Sequence, residues 1–176
     1  MHNQQPIILD STGKRQFACS AVAVSSIIVN QKEEVLLLSS PIKNKDGGWQ
    51  IISGALEAQE TVLEGTLREI AEEVGEDVQV RPLGAVHVNT FHYKEKVKFM
   101  IAIYYLHAYE GGPIQPGDDM RGSQFRWWSI EDLAANNVEL DIPPKGTWIL
   151  QRAVELYHLW KDQADHLSKD QAINLA

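Results

Sequence analysis

Gly54-Ala55-Leu56-Glu57-Ala58-Gln59-Glu60-Thr61-Val62-Leu63-Glu64-Gly65-Thr66-Leu67-Arg68-Glu69-Ile70-Ala71-Glu72-Glu73-Val74-Gly75 contains the spacing Gly-x5-Glu-x7-Arg-Glu-Ile-x-Glu-Glu-x-Gly. Seven fixed identities at roughly 7% each, with one apolar position at about one in four, coincide about twice in a billion start points. The pattern is therefore not accidental. Taken as a helix over 60–74, Leu63, Leu67, Ile70 and Val74 fall at i, i+4, i+7 and i+11 and form one apolar stripe. Glu69, Glu72 and Glu73 then cluster on a different, roughly opposite face. Three like charges so close repel, and a hard divalent cation, which prefers carboxylate oxygen, removes that penalty. A bare acidic helix face is usually only a solvated surface. Here the other fixed positions weigh against that reading. Thr61 lies near the helix start and Gly75 stands where a C-cap is expected. Glu57 and Glu60 place negative charge just ahead of the helix, which suits its dipole.

The spacing resembles the signature box of the Nudix hydrolases. The lead-in Trp49-Gln50-Ile51-Ile52-Ser53-Gly54-Ala55-Leu56-Glu57 is similar to that family's Trp-Glu-Leu-Pro-Gly-Gly-x-Val-Glu. Three positions depart from it: Ile52 for Pro, Ser53 for the first Gly, and Glu76 for the closing apolar residue. The first two fall in the loop expected to deliver the Gly54 carbonyl, and Glu76 is an extra acid just past the helix. The segment Phe125-Arg126-Trp127-Trp128-Ser129-Ile130-Glu131-Asp132-Leu133 resembles a second family stretch, and the resemblance covers about residues 17–160. It implies an α/β fold, the Nudix α/β/α sandwich with a mixed central β-sheet. It also implies cleavage of the pyrophosphate bond of a nucleoside diphosphate linked to another moiety, with Mg2+ or Mn2+ as cofactor.

By the same resemblance, Glu72 and Glu73 are metal ligands with the Gly54 carbonyl beside them, and Glu69 is a ligand or the base that orients water. Such ions neutralise the phosphate oxygens, acidify water and stabilise the leaving phosphate. Glu69, Glu73 and Arg68 form the expected catalytic set. Arg68 is expected to hold a box carboxylate, Glu60, in place. The bland alternative is a surface pair with Glu72, four residues on.

Composition frames these readings. A chain of 176 residues, 44% hydrophobic, is expected to form one domain with a proper core. We divide it into an arm or edge strand over 1–16, the domain over 17–164 and a fraying tail over 165–176. The net charge of −8 argues against a general nucleic-acid or membrane surface. A small anionic nucleotide remains compatible, because bound cations reverse the local sign. The lone Cys19 excludes an internal disulfide framework and is read as a core residue of an early strand. No signal-like run and no eighteen-residue apolar segment is present, so the expectation is a cytoplasmic protein. Homodimers are common among relatives, which is analogy only.

Along the chain, 17–29 and 34–38 read as strands and 41–48 as a loop. The box follows as loop, helix, loop. Residues 78–93 and 97–109 read as two long strands, 111–122 as a Gly/Pro-rich loop, 124–129 as a strand and 130–135 as a short helix. After Pro143-Pro144 comes a last helix, with Trp148, Arg152, Leu156, Leu159 and Trp160 near one face and Ile149 beside them, expected to pack on the sheet.

Substrate contacts are harder to read. Asp118 and Asp119 are candidates for the general base, or are plain turn residues after Pro116-Gly117. Lys43, Lys45 and Arg121 are candidates for phosphate, and Tyr93 stands near where dinucleoside polyphosphate hydrolases of the family carry a Tyr. Trp49, Phe91 and Trp127 are further stacking candidates, with a core role favoured for the two Trp residues. His87, His92 and His107 lack a zinc spacing and read as strand residues. The leading function is thus a pyrophosphohydrolase for a small nucleotide, a nucleotide sugar or a dinucleoside polyphosphate. The competing class is a catalytically silent ligand-sensing or protein-binding module.

Overall fold

The computed structural model describes residues 7–41, 48–91, 99–117, 120–138, 140–141 and 146–162. In chain order the elements are β1 (Ile7–Leu9), β2 (Gln16–Ala18), β3 (Ala21–Val29), β4 (Val35–Ser39), β5 (Ile52–Ala55), α1 (Val62–Val74), β6 (Gln79–Phe91), β7 (Met100–Gly111), β8 (Gln124–Trp128), α2 (Ile130–Ala135) and α3 (Trp148–Trp160). β1 and β2 pair as a separate exposed ribbon. The remaining strands form one sheet in the order β6-β7-β3-β4-β8, with β5 paired to β3. β3 runs parallel to β7, and the other pairings are antiparallel, so the sheet is mixed.

Alternation along β3 and β4 builds two cores. Ile27, Val29, Val35 and Leu37 point to the face covered by Ile149, Leu150, Ala153 and Tyr157 of α3. Ile28, Leu36 and Leu38 point to the other face, against Ile70 and Val74 of α1. Both faces of the central strands are therefore buried, which is why they read as continuous apolar runs. Each fully buried Ile or Val of this kind contributes about 1.5–3 kcal/mol. The result is an α/β/α sandwich. No helix among the described residues is long and apolar enough to cross a membrane.

Several expectations need correction. The stretch read as a strand over 17–29 is broken at Cys19-Ser20, and Cys19 is exposed rather than in the core. The lead-in to the box is not loop throughout, because 52–55 form β5 against β3. On α3 the buried face is Ile149, Leu150, Ala153 and Tyr157, one residue (about 100°) round from the expected one. Trp148 and Leu159 are 44% and 60% exposed, and Arg152 is exposed too. Small Ala153 permits close approach to the sheet, while Leu156 and Trp160 only flank the contact.

The start of α1 is firmly set. Thr61 is its N-cap and forms a reciprocal capping box with Glu64. Gly75 closes it at φ 120°, a conformation suited to glycine, and donates its N–H to Ala71 and Ile70. Thr61→Ala is expected to cost about 1 kcal/mol, read as a lower urea midpoint. An unchanged midpoint would show that the cap contributes nothing.

Candidate active site

The face that α1 turns to the sheet carries Gly65, Thr66, Glu69, Ile70, Glu73 and Val74. This overturns the expected separation of apolar stripe and acidic face. Glu69 and Glu73 are buried beside Ile70 and Val74, at 8% and 2% exposure, whereas Leu67 is 38% exposed. Burying carboxylates costs several kcal/mol unless partners are supplied. β5 supplies one, since the Ser53 N–H donates to Glu73 Oε2 at 3.2 Å. Glu69 receives Arg68 Nη1 at 2.8 Å.

Gly54 makes this approach possible. A Cβ there would fall 1.9 Å from Glu69 Oε1, so the carboxylate lies directly on the Gly54 backbone. Gly54→Ala is expected to displace Glu69 and to cost about 1–3 kcal/mol in stability, checked by chemical denaturation. Retention of full stability would show that Glu69 can leave without penalty. At the sheet side of the same helix, Ser26 Oγ donates to the Thr66 carbonyl at 3.3 Å and fixes its height. Departures Ile52 and Ser53 thus sit in a strand: Ile52 packs in the core and Ser53 hydrogen-bonds through its backbone.

Glu72 points outward, with its side chain 49% exposed, and pairs with Arg68 Nη1 at 2.9 Å. Both expected partners of Arg68 are therefore present. Arg68 grips Glu60 through Nε (2.7 Å) and Nη2 (3.2 Å), and donates to the Ala55 carbonyl at 2.9 Å. The guanidinium, with the Glu57 N–H, holds the Glu60 carboxyl below its ordinary value. The same carboxylates, Glu60 first, hold the Arg68 proton more tightly than usual. As arranged, no three His, Cys, Asp or Glu side chains among the described residues converge on a common cation position.

Beside the C-terminal half of α1 opens a cleft of about 780 Å³. Glu57, Glu72, Glu76 and Asp77 line one side, and Pro113, Gln115 and Gly117 the other. Glu76, the third departure from the family pattern, is therefore a wall residue of this cleft. In the sequence the second wall reads only as a Gly/Pro-rich loop. Its anchor is Gln115 N–H on the Val74 carbonyl at 2.8 Å, and a Cβ on Gly117 would come 2.0 Å from the Glu72 carbonyl. The available signal is Gly117 itself, a residue small enough for a backbone to pass a helix end.

Lys43, Lys45, His92, Tyr93, Asp118 and Asp119 lie outside the described residues. Trp49 and Phe91 pack against the core on the α3 face, Trp49 edge-on to Trp128 at 5.2 Å. Trp127 packs on the α1 face, 5.1 Å from the Tyr109 ring. Arg121 is exposed. His87 meets the Trp148 ring at 5.1 Å, and His107 is buried in the sheet.

Residues 20–149 match the family model described as the NUDIX domain. A putative nudix hydrolase 1 from Caenorhabditis elegans is 31% identical over 125 residues, covering 68% of this chain and 31% of that protein. The NAD-capped RNA hydrolase NudC of Photobacterium profundum is 31% identical over 121 residues, covering 69% of this chain and 41% of that protein. The chain thus spans well under half the length of these curated relatives. Among solved structures, an ADP-ribose pyrophosphatase from Streptococcus suis superposes with a TM-score of 0.59 at 19% identity. That superposition covers 84% of this chain and 96% of the other, a likeness of fold.

Proposed function

As the chain belongs to the NUDIX domain family, we propose that it is a divalent-metal-dependent hydrolase cleaving the pyrophosphate bond of a nucleoside diphosphate linked to another group. The observation that carries this reading is the pair Glu69 and Glu73, buried against Ser53-Gly54 of β5, while Glu72 of the same helix lines an open cleft. An acidic pair serving only solubility would face water. The donor set suits a hard divalent ion: three carboxylates and the Gly54 carbonyl are all oxygen ligands, as Mg2+ or Mn2+ prefers. When bound, such an ion supplies charge neutralisation of the phosphates and a more acidic water.

The residues divide the remaining work. Glu73 is fixed by the Ser53 N–H, and Glu69 by Gly54 and Arg68, so neither carboxylate must be ordered when substrate arrives. Arg68 is a positioning residue, tied to Glu60 and Ala55. The base is Glu69 or Glu73 unless Asp118 or Asp119 supplies it. Wild-type rates in both Asp118→Asn and Asp119→Asn would return that role to the box.

The substrate class we favour is a small nucleotide, a nucleotide sugar or a dinucleoside polyphosphate. The names of the relatives point to ADP-ribose and NAD-capped RNA as members of the panel. A net charge of −8 gives long RNA no electrostatic help. The test is product release from ADP-ribose, NADH, NAD-capped RNA, dinucleoside polyphosphates, nucleoside di- and triphosphates and nucleotide sugars, with Mg2+, Mn2+ or EDTA. Cleavage of one class that EDTA abolishes is the expected result. Metal binding with no cleavage of any member would favour a sensing or protein-binding module instead.

A further inference from the structure

Arg68 uses each of its five N–H groups once. Nε and one Nη2 hydrogen hold the two oxygens of Glu60, the other Nη2 hydrogen holds the Ala55 carbonyl, and the two Nη1 hydrogens hold Glu69 Oε1 and Glu72 Oε2. A guanidinium is a rigid fork of five donors, so its two halves can serve different ends. The Nε/Nη2 half ties the start of the box to β5. The Nη1 half sits between two of the three acids that the proposed function needs for a cation.

We propose that Arg68 is a resident counter-cation of this site: its Nη1 neutralises Glu69 and Glu72 and competes with a divalent ion for their oxygens, while Nε and Nη2 remain on Glu60 and Ala55 as a pivot. The inference rests on the metal-dependent reading above and concerns how the acids are balanced before and after loading. Three observations carry it. Glu69 is 8% exposed and needs a counter-charge in the folded protein whether or not metal is present. Nη1 meets Glu69 Oε1 and Glu72 Oε2 at 2.8 and 2.9 Å, charge-assisted bonds with which an ion taking those oxygens competes. Glu72 lines the open cleft, so an ion has a path to the oxygen that Nη1 holds. Loading then exchanges one cation for another. The fold does not depend on metal, and metal affinity is lower than the acids alone would give.

The test compares wild type with Arg68→Met, which keeps much of the stem and removes the fork. Mg2+ and Mn2+ binding is measured by calorimetry, and unfolding temperature is recorded with and without each ion. The variant is expected to unfold earlier without metal, to bind Mg2+ about tenfold more tightly, the scale of one charge-assisted bond, and to gain more from metal on heating. Equal or weaker binding by the folded variant overturns the proposal and leaves Arg68 a positioning residue only. Absence of metal binding by both proteins removes the metal site, and with it the functional reading as well. Should Arg68→Met fail to fold, Mg2+ titration of wild type by guanidinium nitrogen NMR decides instead. The Nη1 hydrogens should lose protection at saturation while Nε–H keeps its own. An Arg68 spectrum unmoved by saturating Mg2+ overturns the proposal.

Discussion

Glu73→Gln is expected to lower turnover by about a thousandfold or more while leaving stability near wild type, a barrier increase of roughly 4 kcal/mol. At this position charge and shape can be separated. Glu73 is 2% exposed and accepts the Ser53 N–H through Oε2. A glutamine of nearly the same volume still presents a carbonyl oxygen to that donor, so the α1–β5 contact survives. What is lost is one negative charge in the proposed ligand set, and a neutral amide is a poor partner for a hard cation. The measurement pairs steady-state kinetics on the best substrate of the panel with a denaturation curve. Wild-type turnover in a folded Glu73→Gln protein would sink the assignment of Glu73. Glu60→Gln makes a useful contrast. It weakens the anchor of Arg68 rather than the ligand set, so its effect should appear in stability as well as in rate.

The family resemblance, not spacing, points to the tie between Arg68 and Glu60. Spacing along the chain reveals the helix, its Gly75 cap and the Arg68–Glu72 pair, because each depends on contacts within or beside one helix. It misplaces Glu69 and Glu73 because a hydrophobic stripe assigns carboxylates to water. The Ser53 N–H and Arg68 help to offset the cost of their burial and Gly54 leaves room for it, and those contacts cross from α1 to β5 or depend on a fork already committed elsewhere. β5 itself is hard to read because four residues containing Ser53-Gly54 carry little strand propensity. The error on α3 has a similar origin. Trp148 and Leu159 look like core residues by type, yet the sheet selects Ala153 and Tyr157 by fit. The second wall of the cleft is set by Gln115 reaching Val74, a pairing across about forty residues that no local pattern encodes.

His107 leads to a large effect of a different kind. It lies on β7, in register between Pro82 of β6 and Ile28 of β3, and is fully buried. Neither ring nitrogen reaches a hydrogen-bond partner among the described residues, and its neighbouring ring is Tyr105 at 5.2 Å. Burial pushes its pKa down from 6.5 to about 3. Between these values the unfolded chain takes up a proton that the native protein refuses. Stability is therefore complete above pH 6.5 and falls as pH drops toward 3, by about 1.4 kcal/mol per unit. The whole window amounts to roughly 5 kcal/mol, enough to unfold many domains. Glu60 and Glu64 have lowered pKa values through Arg68 and Thr61 respectively, and their contributions are lost only at more acid pH. The range from pH 6.5 to 5 lies above these carboxylates, and the share of His107 there is the difference between wild type and a variant lacking it. There, wild type should lose about 2 kcal/mol, and His107→Leu, which cannot protonate, should lose almost none. Parallel stability curves for the two proteins across that range would show that His107 is not the group refusing the proton.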